Sequence, residues 1–456
     1  MHLFLVGAGP VGLVTAVGFA RLGHHVTVAD IDPSRVAEFL NWTTTLLGPF
    51  PYGSELRIAT LAAGRSPIFE PGLEEALRAE TAAGRMDFTV DPTPPVGSAF
   101  SIVCVGTPTD ASGPLSTAQV ESVVSALLAV APPEHVVAVR STLPVEGPER
   151  LSRLVIERRV AGPCPSVVTN PEFMREGAGL RDFDVPSRVV TGWLFPEDRE
   201  AAQAVADLYG PLNAPVLVAD ARSVALIKLA SNVFLATKIA FANELARICD
   251  ATGADVDLVT AGVGMDDRIG KAFLSAGPGI GGSCLPEQTV ALPLLSARLG
   301  IPTPLIDAVS RSNVSHQQAV VGRLGALLGG PLGGARVALL GLAFKAGTDD
   351  VRESPALAIA RELHAAGTSV SGYDPRAADT AHRADASLEI APDPVSAARD
   401  AAAVVIATEW PEFRSVDWGA MRAAMRGDLV YDTRNVVDRS AVAAAGLRLE
   451  ILGRRV

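Results

Sequence analysis

Lysine is scarce in this chain of 456 residues: Lys228, Lys238, Lys271 and Lys345 stand among 39 basic residues, and the rest are arginine. Lysine is either reserved here for places that need a compact, tunable amine, or the four are chance survivors. No block of basic residues occurs and the formal net charge is −11, which excludes an extended surface for nucleic-acid phosphates. Cysteine is equally sparse. Cys104, Cys164, Cys249 and Cys284 form no CxxC pair and have no neighbouring histidine, which argues against a disulfide framework and a structural zinc. The seven histidines include no pair at helical ligand spacing, so no metal is expected. Hydrophobic residues make up 48% of the chain, yet no run of about 18 uncharged apolar residues offers a bilayer span, so no membrane partner is expected. The opening "MHLFLVGAGPVG" runs straight into a glycine turn without the basic region or cleavage site of a secretory leader, and is read as cytoplasmic. The length itself calls for two or three domains.

What is present begins at that glycine turn. The stretch "HLFLVGAGPVGLVTAVGFARLGHHVTVADID" reads strand, turn, helix, strand, with Gly7, Gly9 and Gly12 as G-x-G-x-x-G. Asp30 closes the second strand at the interval of about 20 residues that a dinucleotide site needs. Glycine lets the backbone approach a pyrophosphate at a helix N-terminus, and the carboxylate takes ribose hydroxyls, so NAD is expected rather than NADP. The runs "AFSIVCVGTP", "HVVAVRSTLP" and "PSVVTNPEF" read as buried parallel strands. Ligands of such sheets lie beyond the carboxyl ends of the strands, where Thr107, Thr142, Glu172 and Glu176 fall. Turn chemistry, or a solvated helix start, is the plainer reading of each.

From about Arg222 to Thr252 the pattern is one proline-free helix. Lys228 and Asn232 share a face of it, either as a polar site or as part of an exposed stripe, while Lys238 and Asn243 fall elsewhere on the cylinder. The cluster "LLGGPLGGARVALLGLAFKAGTDD" then punctuates the chain, and a new strand is expected at Arg336. The segments after it repeat a βαβ rhythm without G-x-G-x-x-G, as a second nucleotide-binding half with different phosphate contacts would.

The stretch "GPGIGGSCLPEQT" places one cysteine inside a run of glycines. Pro286 can occupy the first turn of a following helix, which sets Cys284 just before a helix N-terminus. The dipole and free amides there favour thiolate, and the glycines make room for a bulky ligand. With a nicotinamide site in the same chain, the fitting chemistry is attack on an aldehyde, hydride transfer from the adduct to leave a thioester, and hydrolysis to an acid.

The chain resembles the UDP-glucose/GDP-mannose dehydrogenases over almost its whole length. The resemblance rests on "GAGPVG", "VCVGTPTD", "RSTLPVEG", "NPEFMREG", "KLASNVFLATKIAFANELA", "RIGKAFLSAGPGIGGSCLP", "GLAFKAGTDDVRESPA" and "YDTRN", in that order. It implies an α/β fold of two Rossmann-like doubly wound domains joined by a central helical domain. The expected divisions are an NAD domain over 1–212, a helical dimerisation domain over 213–320 and a nucleotide-sugar domain over 321–456. It implies oxidation of a nucleotide sugar from primary alcohol to carboxylate with two NAD, and a weak preference for a UDP-sugar. Cys284 would be the nucleophile, Lys228 and Asn232 would stabilise alkoxide and oxyanion, and Thr142 and Glu176 would position water near the nicotinamide. Glu172, Arg268, Gly279, Gly281, Phe344, Lys345 and Arg434 would contact the sugar nucleotide. Gly7, Gly9, Val11, Gly12, Asp30, Arg35, Thr107, Thr142, Glu176 and Arg352 would hold the cofactor. Arg268 would reach the sugar from the neighbouring subunit, which implies a homodimer.

Three positions depart from that pattern. The family has lysine and aspartate after the proline of the cysteine loop, where this chain has Glu287 and Gln288, and a glutamate where it has Ala225. Glutamine cannot accept a proton, and a general base typically contributes factors of about 10² to 10⁴. Three readings stay open: full oxidation with Glu176 and solvent covering the lost base, an altered substrate or an aldehyde product, and a catalytically weak sugar-nucleotide-binding subunit.

Overall fold

The computed structural model describes residues 1–30, 54–110 and 114–454, in two compact units, Met1–Ala230 and Ser231–Val456. In the first unit eight strands form one sheet: β1 His2–Val6, β2 His25–Ala29, β3 Met86–Thr89, β4 Ser98–Val103, β5 Val136–Val139, β6 Ser166–Thr169, β7 Val189–Trp193 and β8 Val216–Asp220. Their order is β3-β2-β1-β4-β5-β6-β7-β8, and every pairing is parallel except β6 with β7. The apolar runs become strands because both faces are covered. Leu3 and Leu5 of β1 pack with Leu13, Val17 and Phe19 of the helix Pro10–Arg21, while Phe4 and Val6 point the other way, among Val120, Val124, Leu127, Leu151 and Val155. Strand order reverses at β1, so a crevice opens beyond the carboxyl ends of β1 and β4.

In the second unit β9 Arg336–Leu340, β10 Ser369–Tyr373, β11 Glu389–Ile390, β12 Ala403–Ile406, β13 Leu429–Asp432 and β14 Arg448–Ile451 form an all-parallel sheet ordered β11-β10-β9-β12-β13-β14. The strand expected at Arg336 begins there. This order matches the first six strands of the other sheet, and the switch point falls between β9 and β12. Asp374, just after β10, corresponds to Asp30 after β2. Its two oxygens are taken up by the amides of Leu342, Ala343, Arg376 and Ala377 and by the Trp410 indole N–H. A carboxylate so saturated braces its own turn.

The long helix spans Ala221–Thr252, one residue more than the pattern indicated, with neither proline nor glycine to interrupt it. Among the described residues it is the one helix long and apolar enough to cross a bilayer by length and composition. Its surroundings are those of a packed protein helix: Ala236 and Ala240 meet Ile280 and Val309, and Ala246 and Cys249 join the core of the second sheet. The helices Val256–Gly264, Cys284–Arg298 and Pro304–Leu327 complete the helical part of this unit.

Candidate active site

In the first unit the glycine turn joins β1 to its helix. Gly7 sits at φ +108°, and a Cβ there would lie 2.7 Å from the Cys104 carbonyl oxygen, while one on Gly12 would lie 1.8 Å from the Gly7 carbonyl oxygen. Both positions therefore require glycine for close packing. At Gly9 a Cβ would meet nothing within 4 Å, so bare backbone faces open space at the helix start, where Pro10 leads and the amides of Val11 and Gly12 have no partner within the helix. That cradle fits a dinucleotide pyrophosphate. Asp30, buried after β2, accepts from Arg57 Nη1 at 2.5 Å and from the Ala8 amide at 3.4 Å. Arg57 was not singled out from spacing; Arg35, expected at the ribose, lies outside the described residues.

Half-buried Thr107 and Thr142 stand in the turns after β4 and β5, and Ser141 Oγ ties these turns together by donating to the Val105 carbonyl oxygen at 2.6 Å. Glu172 and half-buried Glu176 follow β6. Glu70 steadies this loop by accepting from the Gly177 and Gly179 amides, each at 2.7 Å. Lys228 is 3% exposed and donates to the Glu172 carbonyl oxygen at 2.6 Å and to Glu172 Oε1 at 2.9 Å. Burial pushes the Glu172 carboxyl up, but the Lys228 ammonium and its hydrogen bond, with help from Arg140 and the Met174 amide, outweigh that and hold it below the usual carboxylate range. The exposed-stripe reading of Lys228 and Asn232 therefore fails, since Asn232 is also buried at 8%.

In the second unit the helix begins at Cys284 itself, one residue earlier than expected, because Ser283 already has helical dihedrals. The thiol is exposed, with Sγ 3.6 Å from Ser283 Oγ. A Cβ on Gly281 would lie 2.6 Å from Pro355 and 2.9 Å from Phe344 Cβ, and one on Gly282, at φ +84°, would lie 2.9 Å from the Phe344 ring. The loop is thus pressed on Phe344 as closely as backbone allows, and the Gly282 amide donates to the Arg352 carbonyl oxygen at 3.0 Å. Arg434 donates to the carbonyl oxygens of Ala407 and Phe344 and pairs with Glu409 at 3.2 Å, and it stands against Gly277. Lys345 Nζ lies 5.3 Å from the centroid of the Phe344 ring. Cys284, Gly281, Phe344, Lys345, Arg352 and Arg434 are thereby gathered around one loop. Gly279 instead packs on Asn313 and Gln317 of the helix Pro304–Leu327. Arg268 stands apart, its side chain 89% exposed and paired with Asp266 at 2.6 Å.

Sequence spacing did not reveal what fixes that loop. Asn243 Oδ1 accepts from the Gly277 amide at 2.9 Å, His316 Nε2 reaches the Gly277 carbonyl oxygen at 2.7 Å, and Asn313 bonds both the amide and the carbonyl of Ile280. Asn243, a polar residue inside an apolar helix, was the one visible signal. Gln288, one helical turn after Cys284, is 1% exposed, and its Oε1 has no hydrogen-bond partner among the described residues.

The UDP-glucose/GDP-mannose dehydrogenase family models match in all three parts: the NAD binding domain over 1–47 and 53–213, the central domain over 222–315 and the UDP binding domain over 338–439. A UDP-glucose 6-dehydrogenase of Rhizobium meliloti is 38% identical over 100% of both chains, and the UDP-glucose 6-dehydrogenase YwqF of Bacillus subtilis is 35% identical over 100% of this chain and 98% of its own. The solved UDP-glucose dehydrogenase of Pyrobaculum islandicum superposes with a TM-score of 0.84 at 36% identity, covering 100% of this chain and 98% of its own. With a glycine cradle for the dinucleotide, a buried Lys228–Glu172 pair and an exposed Cys284 on a glycine loop, the chain belongs to the UDP-glucose/GDP-mannose dehydrogenase family and is an NAD-dependent oxidoreductase of nucleotide sugars.

Proposed function

We propose that the protein oxidises a UDP-sugar, UDP-glucose foremost, from primary alcohol to carboxylate through a covalent adduct on Cys284. NAD, held by the glycine turn and Asp30, would supply the hydride acceptor that each of the two oxidations needs. In the first, the alcohol loses its proton and becomes an aldehyde. The Cys284 thiolate then adds to the aldehyde carbon as a thiohemiacetal, the second oxidation leaves a thioester, and water cleaves the carbon–sulfur bond to release the acid and return the thiol. Negative charge develops on oxygen at each stage, and Lys228 with Asn232 would supply the fixed positive charge and donor that stabilise it. Thr142 and Glu176 would order the water; Phe344, Lys345 and Arg434 would hold the sugar nucleotide. The exposed thiol at the first turn of its helix, on a glycine loop closed against Phe344, carries this reading. It is tested by labelling Cys284 with a thiol reagent: UDP-glucose should slow the labelling, and no protection by any sugar nucleotide would count against it.

A second reading is favoured by Gln288. Its buried, unpartnered carbonyl occupies the place where the family has a carboxylate, and without that base the reaction would stop at the aldehyde or take a different sugar.

The same proposal includes a homodimer through residues 213–320. Phe234, Phe241 and Ile248 recur every seventh residue on the long helix, exposed by 64%, 48% and 56%, and form an apolar stripe of the kind that a second copy covers. The outstretched Arg268 suits a role in the partner's site.

A further inference from the structure

Arg140, at the end of β5, is 5% exposed and belongs to no step described so far. Its Nε donates to Thr15 Oγ1 at 2.9 Å, Nη1 to Asn170 Oδ1 at 3.1 Å and Tyr209 Oη at 2.7 Å, and Nη2 to Met174 Sδ at 3.9 Å. None of these partners is a carboxylate. Asn170 and Met174 flank Glu172 two residues to either side, and the Met174 amide itself donates to Glu172 Oε2 at 2.5 Å. Thr15 belongs to the glycine-turn helix and donates to the Val11 carbonyl oxygen at 2.6 Å. One guanidinium thus grips both shoulders of the Glu172 turn and the helix that receives the dinucleotide.

We infer that Arg140 is a positioning residue, holding Glu172 in place and ionised opposite Lys228 and tying that turn to the glycine-turn helix. A buried guanidinium with only neutral hydrogen-bond partners needs a counter-charge nearby, and the anion coupled to it is Glu172. Lys228, Arg140 and Glu172 together carry one surplus positive charge in a dry setting, which favours negative charge developing on a substrate oxygen. Of the other groups around this cluster, burial pushes the Cys104 thiol and the Tyr209 phenol each up to about 12, so both stay neutral over the working range, while the Arg188 guanidinium lies 3.8 Å from the centroid of the Phe173 ring that Lys228 Nζ faces at 5.2 Å and adds to the positive charge.

Because this role rests on the proposed reaction, the decisive readout needs no turnover. In the full chain labelled with carboxyl-¹³C glutamate, the Glu172 resonance, assigned with Glu172→Gln, is titrated in wild type, Arg140→Gln and Arg140→Lys. Arg140→Gln should move the titration to higher pH by about one pH unit or more, and Arg140→Lys, which keeps the charge, should stay near wild type. Thr15→Ala, which loosens the grip and keeps the charge, should leave it unmoved. In turnover, kcat of Arg140→Gln should fall by about tenfold to a hundredfold with the acid limb moved upward, while KM for NAD changes by less than about threefold. An unmoved Glu172 titration in Arg140→Gln overturns the assignment. Should that variant not fold, an Arg140→Lys or Thr15→Ala titration displaced by a pH unit does so instead. Absence of any nucleotide-sugar oxidation by wild type would defeat the reaction and still leave the titration to decide on Arg140.

Discussion

Lys228 Nζ lies 2.9 Å from Glu172 Oε1, with the two side chains 3% and 7% exposed, so the amine assigned to the oxyanion is held by a buried ion pair. Removing the cation strands a carboxylate away from water. Lys228→Met should lower kcat by at least about a hundredfold. It should also reduce stability by about 3 kcal/mol, read from urea unfolding at neutral pH. The pair has a pH signature as well. Glu172 is depressed in the folded protein, so its contribution is complete above the ordinary carboxylate value and is lost as pH falls through the lower folded value. Glu172→Gln should therefore flatten the acid side of the stability curve, and an acid side as steep as in wild type would contradict the pairing.

His316 should make stability pH-dependent in the neutral to acid range. Burial holds its imidazole down to about 4 from the ordinary 6.5, against the raising effect of its bond to Gly277. The folded protein thus keeps the neutral ring. The contribution is full above pH 6.5 and is lost as pH falls from 6.5 towards 4, by about 2 kcal/mol on reaching pH 5. His316→Gln should lose about that much less than wild type between pH 7.5 and pH 5 in urea unfolding, and parallel losses would count against it.

Gln288→Asp tests the departure nearest the nucleophile. Restoring a carboxylate one turn from Cys284 should raise kcat for acid formation by about tenfold. Placing that carboxylate at a site only 1% exposed should also cost stability, by about 1 to 3 kcal/mol. An unchanged rate in the folded variant would mean that this position does not limit the reaction.

If the proposed dimer forms, Phe241→Glu or Ile248→Glu should dissociate it by putting charge into its apolar stripe. Sedimentation should then report the monomer mass, and activity should fall with it if Arg268 acts across the interface. A monomeric wild type would end the dimer proposal.

The elements that could be read in advance are those whose signals are local. Gly7, Gly9, Gly12 and Asp30 lie within one βαβ unit, and the helix around Lys228 runs uninterrupted for 32 residues, so spacing alone located both. Cys284 was placed within one residue of its helix start because Pro286 marks a first turn. Arg140, Glu70 and His316 were not legible as parts of the site, and Asn243 showed only as a polar residue inside an apolar helix. Each acts on backbone or side chains far away in sequence: Arg140 bridges residues 15, 170, 174 and 209, and Glu70 holds amides more than a hundred residues downstream. No periodicity or motif records such pairings. Burial of Lys228 was similarly hidden, because a lysine four residues from an asparagine looks the same on an exposed face as in a core.

The measurement that bears most directly on the reaction is the number of NADH formed per sugar nucleotide consumed, with the sugar limiting, across a panel of UDP- and GDP-sugars and with the product mass determined. We expect two NADH and the uronic acid from UDP-glucose, with Gln288 tolerated. One NADH with an aldehyde product, or no NADH with any member of the panel, would contradict full oxidation through Cys284.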